Sequence, residues 1–148
     1  MHRVLVAVAD SPASLAAVRE AVALAARLPA ELRALHVVSD GVLADLLGAL
    51  DGTPGLPARR DAASSSLLRH VAEIAARAGV PAATVQEEGD VARSILRHAH
   101  EWPADIVVIG RTSRRGPGEP FLSGATQRVL EFTDRPVLVV PARCAPLT

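Results

Sequence analysis

Short runs of consecutive apolar residues alternate along this chain with longer stretches in which apolar positions recur every third or fourth residue. The first pattern suits strands buried on both faces, the second helices with one buried stripe. Residues 4–9 form the first apolar run, broken by Asp10-Ser11-Pro12. Ser11 is a good helix cap, and Pro12 suits the first helical position, where a missing N–H costs little. The stretch 14–28 then carries Leu15, Val18, Val22, Leu24 and Ala25 as a stripe, with Arg19, Glu20 and Arg27 on other faces, and Pro29 ends it. A second strand is predicted over 31–38, its buried end being Leu35-His36-Val37-Val38.

Asp40 opens a short helical piece predicted at 42–50, and the breaker-rich residues 51–57 read as a loop. A clear helix follows over 61–78, with Leu67, Leu68, Val71, Ile74 and Ala75 on one side and Gly79 just past its end. Residues 83–87 are a short, mixed strand, expected at a sheet edge. Gly89 turns the chain, Asp90 caps a helix over 91–100, and Trp102-Pro103 closes it. Ile106-Val107-Val108-Ile109 is a buried strand stopped by Gly110, and an arginine-, proline- and glycine-rich loop follows. A helix opens at Ser123-Gly124-Ala125-Thr126, and Pro136-Val137-Leu138-Val139-Val140 is the last strand. Repeated strand–helix alternation argues a parallel sheet covered on both faces through right-handed crossovers. No repeat or linker interrupts it, so residues 1–148 are expected to form one domain.

Composition narrows the chemistry. Hydrophobic residues make up 49% of the chain but aromatics only 2%, so the core must be built from Ala, Val and Leu. Formal net charge is zero, which gives no bulk attraction to nucleic acid or to acidic membranes. All 16 basic residues are arginine, which rules out a lysine-dependent phosphate loop and lysine Schiff-base chemistry. The single cysteine, Cys144, allows neither an internal disulfide nor a zinc cluster, and is expected to be a free thiol. No leader and no apolar run near the ~20 residues of a membrane span is visible, so the expectation is a soluble cytoplasmic protein.

The stretch 104–140 resembles the universal stress protein domain, whose ATP-binding members carry Gly-x2-Gly-x9-Gly-(Ser/Thr) between the fourth strand and the last helix. Gly110 matches the first glycine, Ser113 stands in the place of the second, and Ser123-Gly124 inverts the closing pair. The register is set from the far side, where residues 126–130 and 136–140 follow the family pattern without a gap. Leu5-Val6-Ala7-Val8 with Ser11, Leu35-His36-Val37-Val38 and Glu88-Gly89-Asp90 extend the resemblance over nearly the whole chain.

That resemblance implies an α/β fold, a three-layer α/β/α sandwich on a five-stranded parallel sheet of order 3-2-1-4-5, of the adenine nucleotide alpha hydrolase-like type. It places a crevice between the carboxyl ends of strands one and four, and ATP, with magnesium, as the implied ligand. Ala7 and Ile109 would wall the adenine, with backbone at Val37 reading it. Ala9 occupies the position of a nucleoside-contacting aspartate, and Asp10 lies one residue later. Gly110, Ser113, Ser123, Gly124, Ala125 and Thr126 would surround the phosphates, with Arg111, Arg114 and Arg115 either supplying charge or lying on a solvated loop. The family also implies a homodimer through the C-terminal strand, a role in regulating the stress response, and at most slow ATP hydrolysis. Ala9, Ser113 and Ser123 depart from the pattern, each at about 1–3 kcal/mol of binding. The alternative is therefore a protein-interaction dimer of the same fold that binds no nucleotide.

Other constellations carry less. His98 and His100 are two apart on a helix and so point about 200° apart, away from a shared metal. His36 reads as a hydrogen-bonded core histidine. Gly116-x-Gly118 lacks both the third glycine and a helix directly behind it, which rejects a dinucleotide fingerprint. No nucleophile elbow or zincin motif occurs.

Overall fold

Every strand pairing in the computed structural model is parallel, as buried runs separated by helices require. The structure describes residues 2–39, 56–111 and 124–146. In chain order these form β1 (His2–Val8), α1 (Pro12–Arg27), β2 (Ala30–Ser39), α2 (Leu56–Arg77), β3 (Ala82–Gly89), α3 (Val91–Glu101), β4 (Ile106–Arg111), α4 (Gly124–Phe132) and β5 (Val137–Pro141). The sheet order is β3-β2-β1-β4-β5, the doubly wound order expected, with β3 at one edge and exposed along most of its length. The helical piece expected at 42–50 lies outside the described residues.

The alternation of side chains along each strand divides the core in two. Val4, Val6, Val8, Leu32, Ala34, Val108 and Val140 point to the face covered by α1 and α2, where they meet Val18, Ala21, Val22, Val71 and Ala75. Leu5, Leu35, Val107 and Ile109 point to the other face, against Ile95 and Ala99 of α3 and Val129 of α4. The alanines of α1 (Ala13, Ala16, Ala17, Ala21 and Ala25, all buried) let that helix lie close to the sheet. Glu20, expected on a polar face of α1, is buried instead at 5% exposure, and its Oε2 has no hydrogen-bond partner.

Among the boundaries that differ from expectation, three bear on packing. β4 does not stop at Gly110: it runs on to Arg111, with Gly110 paired to Val140 of β5. The glycine is needed there for space. A Cβ on Gly110 would lie 2.5 Å from the Ala13 carbonyl oxygen, 2.6 Å from its carbon and 2.8 Å from Ser14 N, so the first turn of α1 rests directly on the strand. α2 begins at Leu56, inside the expected loop; Pro57 fits because the first helical turn has no use for its missing N–H. The third strand reaches Gly89, whose φ of +132° makes the turn into α3.

At the opposite end of the sheet, Trp102 follows α3 and stacks against two guanidinium groups. The Arg33 carbon lies 4.5 Å and that of Arg3 5.9 Å from the ring centre. Arg3 Nη1 also donates to the Trp102 carbonyl at 3.1 Å. Cys144 is a free, half-buried thiol packed against the first core cluster.

Candidate functional site

β1 and β4 are neighbours in the sheet, yet the chain leaves β1 toward β2 and leaves β4 toward β5. The connections therefore part company at the carboxyl ends of these two strands, and a crevice opens there. It is a hollow of about 150 Å³ lined by Ala7, Val8, Ala9, Ser11, Ser14, Leu35, Val37, Val91, Ile95, Ile109, Gly110, Ala125 and Thr126.

Of the residues singled out from sequence, Ala7, Ala9, Val37, Ile109, Gly110, Ala125 and Thr126 meet around this hollow. Asp10 does not line it; the residue is exposed in the bend after β1. Gly124 is the exposed first residue of α4, next to the lining residue Ala125. Ser113 and Ser123 lie outside the described residues, as do Arg114 and Arg115, while Arg111 is exposed at the end of β4. The sequence places the whole turn from Ala7 to Ser11 on one side of the crevice, and Val8 and Ser11 do line it; Leu35, Val91, Ile95 and Ser14 were missed. Val91 and Ile95 were legible in principle, as the apolar side of a helix that starts at the crevice.

Two helix N-termini face the hollow. That of α1 is closed by its own residues. Ser11 Oγ accepts from Ser14 N at 3.1 Å, and the Ser11 carbonyl accepts from Leu15 N at 3.1 Å. Pro12 has no N–H to satisfy. Ser14 Oγ, only 3% exposed as a residue, accepts from Ala9 N at 2.6 Å and so ties the helix to the end of β1. At α4, as for Ala13 of α1, no described residue accepts from the N–H groups of Gly124 or Ala125. Thr126 is buried at 4% exposure, on the wall of the hollow.

Polar contacts bind the helices around the crevice. Asp90 caps α3 by accepting from Arg93 N at 2.9 Å, and its other oxygen accepts from Arg128 Nη1 of α4 at 2.9 Å. The Arg93 N–H first, and then the Arg128 guanidinium, hold the Asp90 carboxyl below its usual range. On the edge strand, Glu87 accepts from His98 Nε2 at 2.7 Å and pairs with Arg97. The hydrogen bond from His98 is the main reason the Glu87 carboxyl also sits below its usual value. His98 is thus spent on Glu87, while His100 lies 4.0 Å from Asp134; no cluster of metal-binding side chains occurs among the described residues. His36 Nδ1 lies 2.7 Å from the Val8 carbonyl, which can only accept, so that nitrogen carries the proton. Its Nε2 meets the Ser64 hydroxyl at 3.0 Å, as expected of a hydrogen-bonded core histidine.

A parallel sheet of this order, with a crevice at the β1/β4 switch and two helix N-termini beside it, defines a doubly wound α/β domain. The sequence profile of the Universal stress protein family matches residues 1–141. The chain belongs to that family. Universal stress protein YxiE of Bacillus subtilis (strain 168) is 32% identical over 147 residues, covering 94% of this chain and 98% of that protein. The structure of universal stress protein UspA from Lactobacillus plantarum is 28% identical, with a TM-score of 0.75 over 94% of this chain and 97% of that one. Two further structures share the fold at lower identity. One is a universal stress protein in complex with cAMP, 22% identical with a TM-score of 0.73, covering 95% of this chain and 97% of that one. The other is the Archaeoglobus fulgidus universal stress protein in complex with dAMP, 18% identical with a TM-score of 0.66, covering 95% and 98%.

Proposed function

We propose that this chain is a stress-response regulator that works in the cytoplasm as a homodimer and binds an adenine nucleotide, ATP with magnesium, in the β1/β4 crevice. The observation that carries the reading is the pairing of an apolar slot with the N-terminus of α4. Ala7, Leu35, Val37, Ile95 and Ile109 offer walls for a planar base, and Gly124 and Ala125 offer N–H groups and the positive end of a helix to an anion. The enclosed volume of about 150 Å³ is below the ~300–1,000 Å³ of a site that swallows a whole drug-sized ligand. The described walls would therefore take the base and leave sugar and phosphates at the mouth. The cAMP- and dAMP-bound proteins of the same fold support an adenine nucleotide as the class of ligand.

Titration calorimetry with ATP and magnesium tests this: saturation below 1 mM is expected on a scale where each tenfold in affinity is about 1.4 kcal/mol, and no heat at several millimolar overturns it. Ala9→Asp, which places a carboxylate at the exposed end of β1, is expected to tighten binding. Ala9 also favours the second reading, an interaction dimer with an idle crevice, because Asp10 turns to solvent and leaves that end of the hollow without a described carboxylate. For the dimer, β5 pairs only with β4 among the described strands, and the nearby Leu130 and Phe132 are 40% and 66% exposed. Sedimentation at micromolar concentration is expected to give twice the chain mass; a clean monomer would count against it.

A further inference from the structure

We propose that Asp90 and Arg128 are a positioning pair for the crevice, holding the first turn of α4 in place against α3; the proposal rests on the ligand-binding reading above. Adjoining parts of the hollow's wall come from these two helices: Val91 and Ile95 from α3, Ala125 and Thr126 from α4. Asp90 immediately precedes Val91. Arg128 stands one helical turn beyond Gly124 and Ala125, on the same side of α4. The 2.9 Å bond between them therefore spans the seam where these two parts of the wall meet.

Little else is buried to fix α4 there. Thr126 and Val129 are its buried residues, and Val129 packs in the cluster that holds Ile95 and Ala99 of α3. At the far end of the seam His100 Nδ1 lies 4.0 Å from Asp134 Oδ2, with both side chains well exposed. The two oxygens of Asp90 divide their work, Oδ1 on the α3 cap and Oδ2 on Arg128. One carboxylate thus sets the start of α3 and the lateral position of α4 together. Both members are about half exposed, at 43% and 51%, so the pair adds little to global stability. Its effect is local, on how often the α4 N-terminus moves away from α3.

Two substitutions separate the pair from the cap. Arg128→Gln removes the bridge and leaves the cap intact. Asp90→Asn keeps a residue that caps equally well but loses the charge. Each is expected to weaken ATP binding by about two- to fivefold and to speed amide exchange at Arg128–Leu130, whose N–H groups donate into the first turn of α4, by a similar factor, with Arg128→Lys restoring most of both. The double change is expected to be no worse than either single one, since both remove the same contact. A weaker Arg128→Gln with a tighter Asp90→Asn would show Arg128 touching the ligand itself and would overturn the positioning role. So would unchanged exchange in both. If the unaltered chain takes no ATP at several millimolar, the nucleotide reading falls, and the exchange rates alone then decide for or against the pair.

Discussion

The N-termini of α1 and α4 reach the same crevice from the ends of neighbouring strands, yet they are held there in different ways. At α1 the tie is made by serines: Ser11 Oγ takes Ser14 N, Ser14 Oγ takes Ala9 N at the end of β1, and Pro12 has no N–H to give. At α4 the tie comes one turn further in, where Arg128 Nη1 donates to Asp90 at the start of α3. One helix start is thus joined to a strand and the other to a neighbouring helix.

The largest expected effect breaks the α1 joint from outside. Gly110→Ala drives a methyl group into the Ala13 carbonyl and is expected to cost about 3 kcal/mol in urea unfolding; a change of a few tenths would mean that α1 does not rest on β4. Ser14→Ala comes next. It strands the Ala9 N–H, with an expected loss of about 2 kcal/mol and a rise in amide exchange at Ala9 itself. Ser11→Ala removes only the cap and is expected to cost about 1 kcal/mol. If Ser11→Ala proved as harmful as Ser14→Ala, the link to β1 would not be the stronger half of the joint.

The smallest effect lies away from both helix starts and serves as a reference. Glu87 has a folded-state pKa lowered from 4.5, chiefly by His98. Its contribution is therefore complete above pH 4.5 and is lost as pH falls through the lowered value. Glu87→Gln is expected to flatten that part of the acid limb while leaving stability at pH 7 changed by less than any of the three variants above. A steeper acid limb in the variant would reverse the assignment.

The strands and helices were legible because their patterns are local. Four consecutive β-branched residues at Ile106–Ile109 need no knowledge of the rest of the chain to read as a buried strand, and Ser11-Pro12 or Asp90 announce helix starts in the same way. The walls of the crevice followed from the topology that the family resemblance supplied. What stayed hidden depends on contacts between distant segments. Gly110 read as a stop because a glycine after an apolar run usually is one; that it makes room for Ala13, 97 residues earlier in the chain, exists only in the packed molecule. Ser14 is only five residues from Ala9, but their bond depends on how the bend between them turns. Glu20 read as surface because carboxylates usually are.

The contact of Trp102 with Arg3 and Arg33 has a practical corollary. It is the chain's sole indole, and it sits where the strands begin, a full sheet length from the crevice. Its emission will follow the opening of the sheet's lower edge and the unfolding of the whole chain, while a molecule entering the crevice will leave it dark to the event. Fluorescence is thus a clean stability gauge for this protein, and a silent one for occupancy.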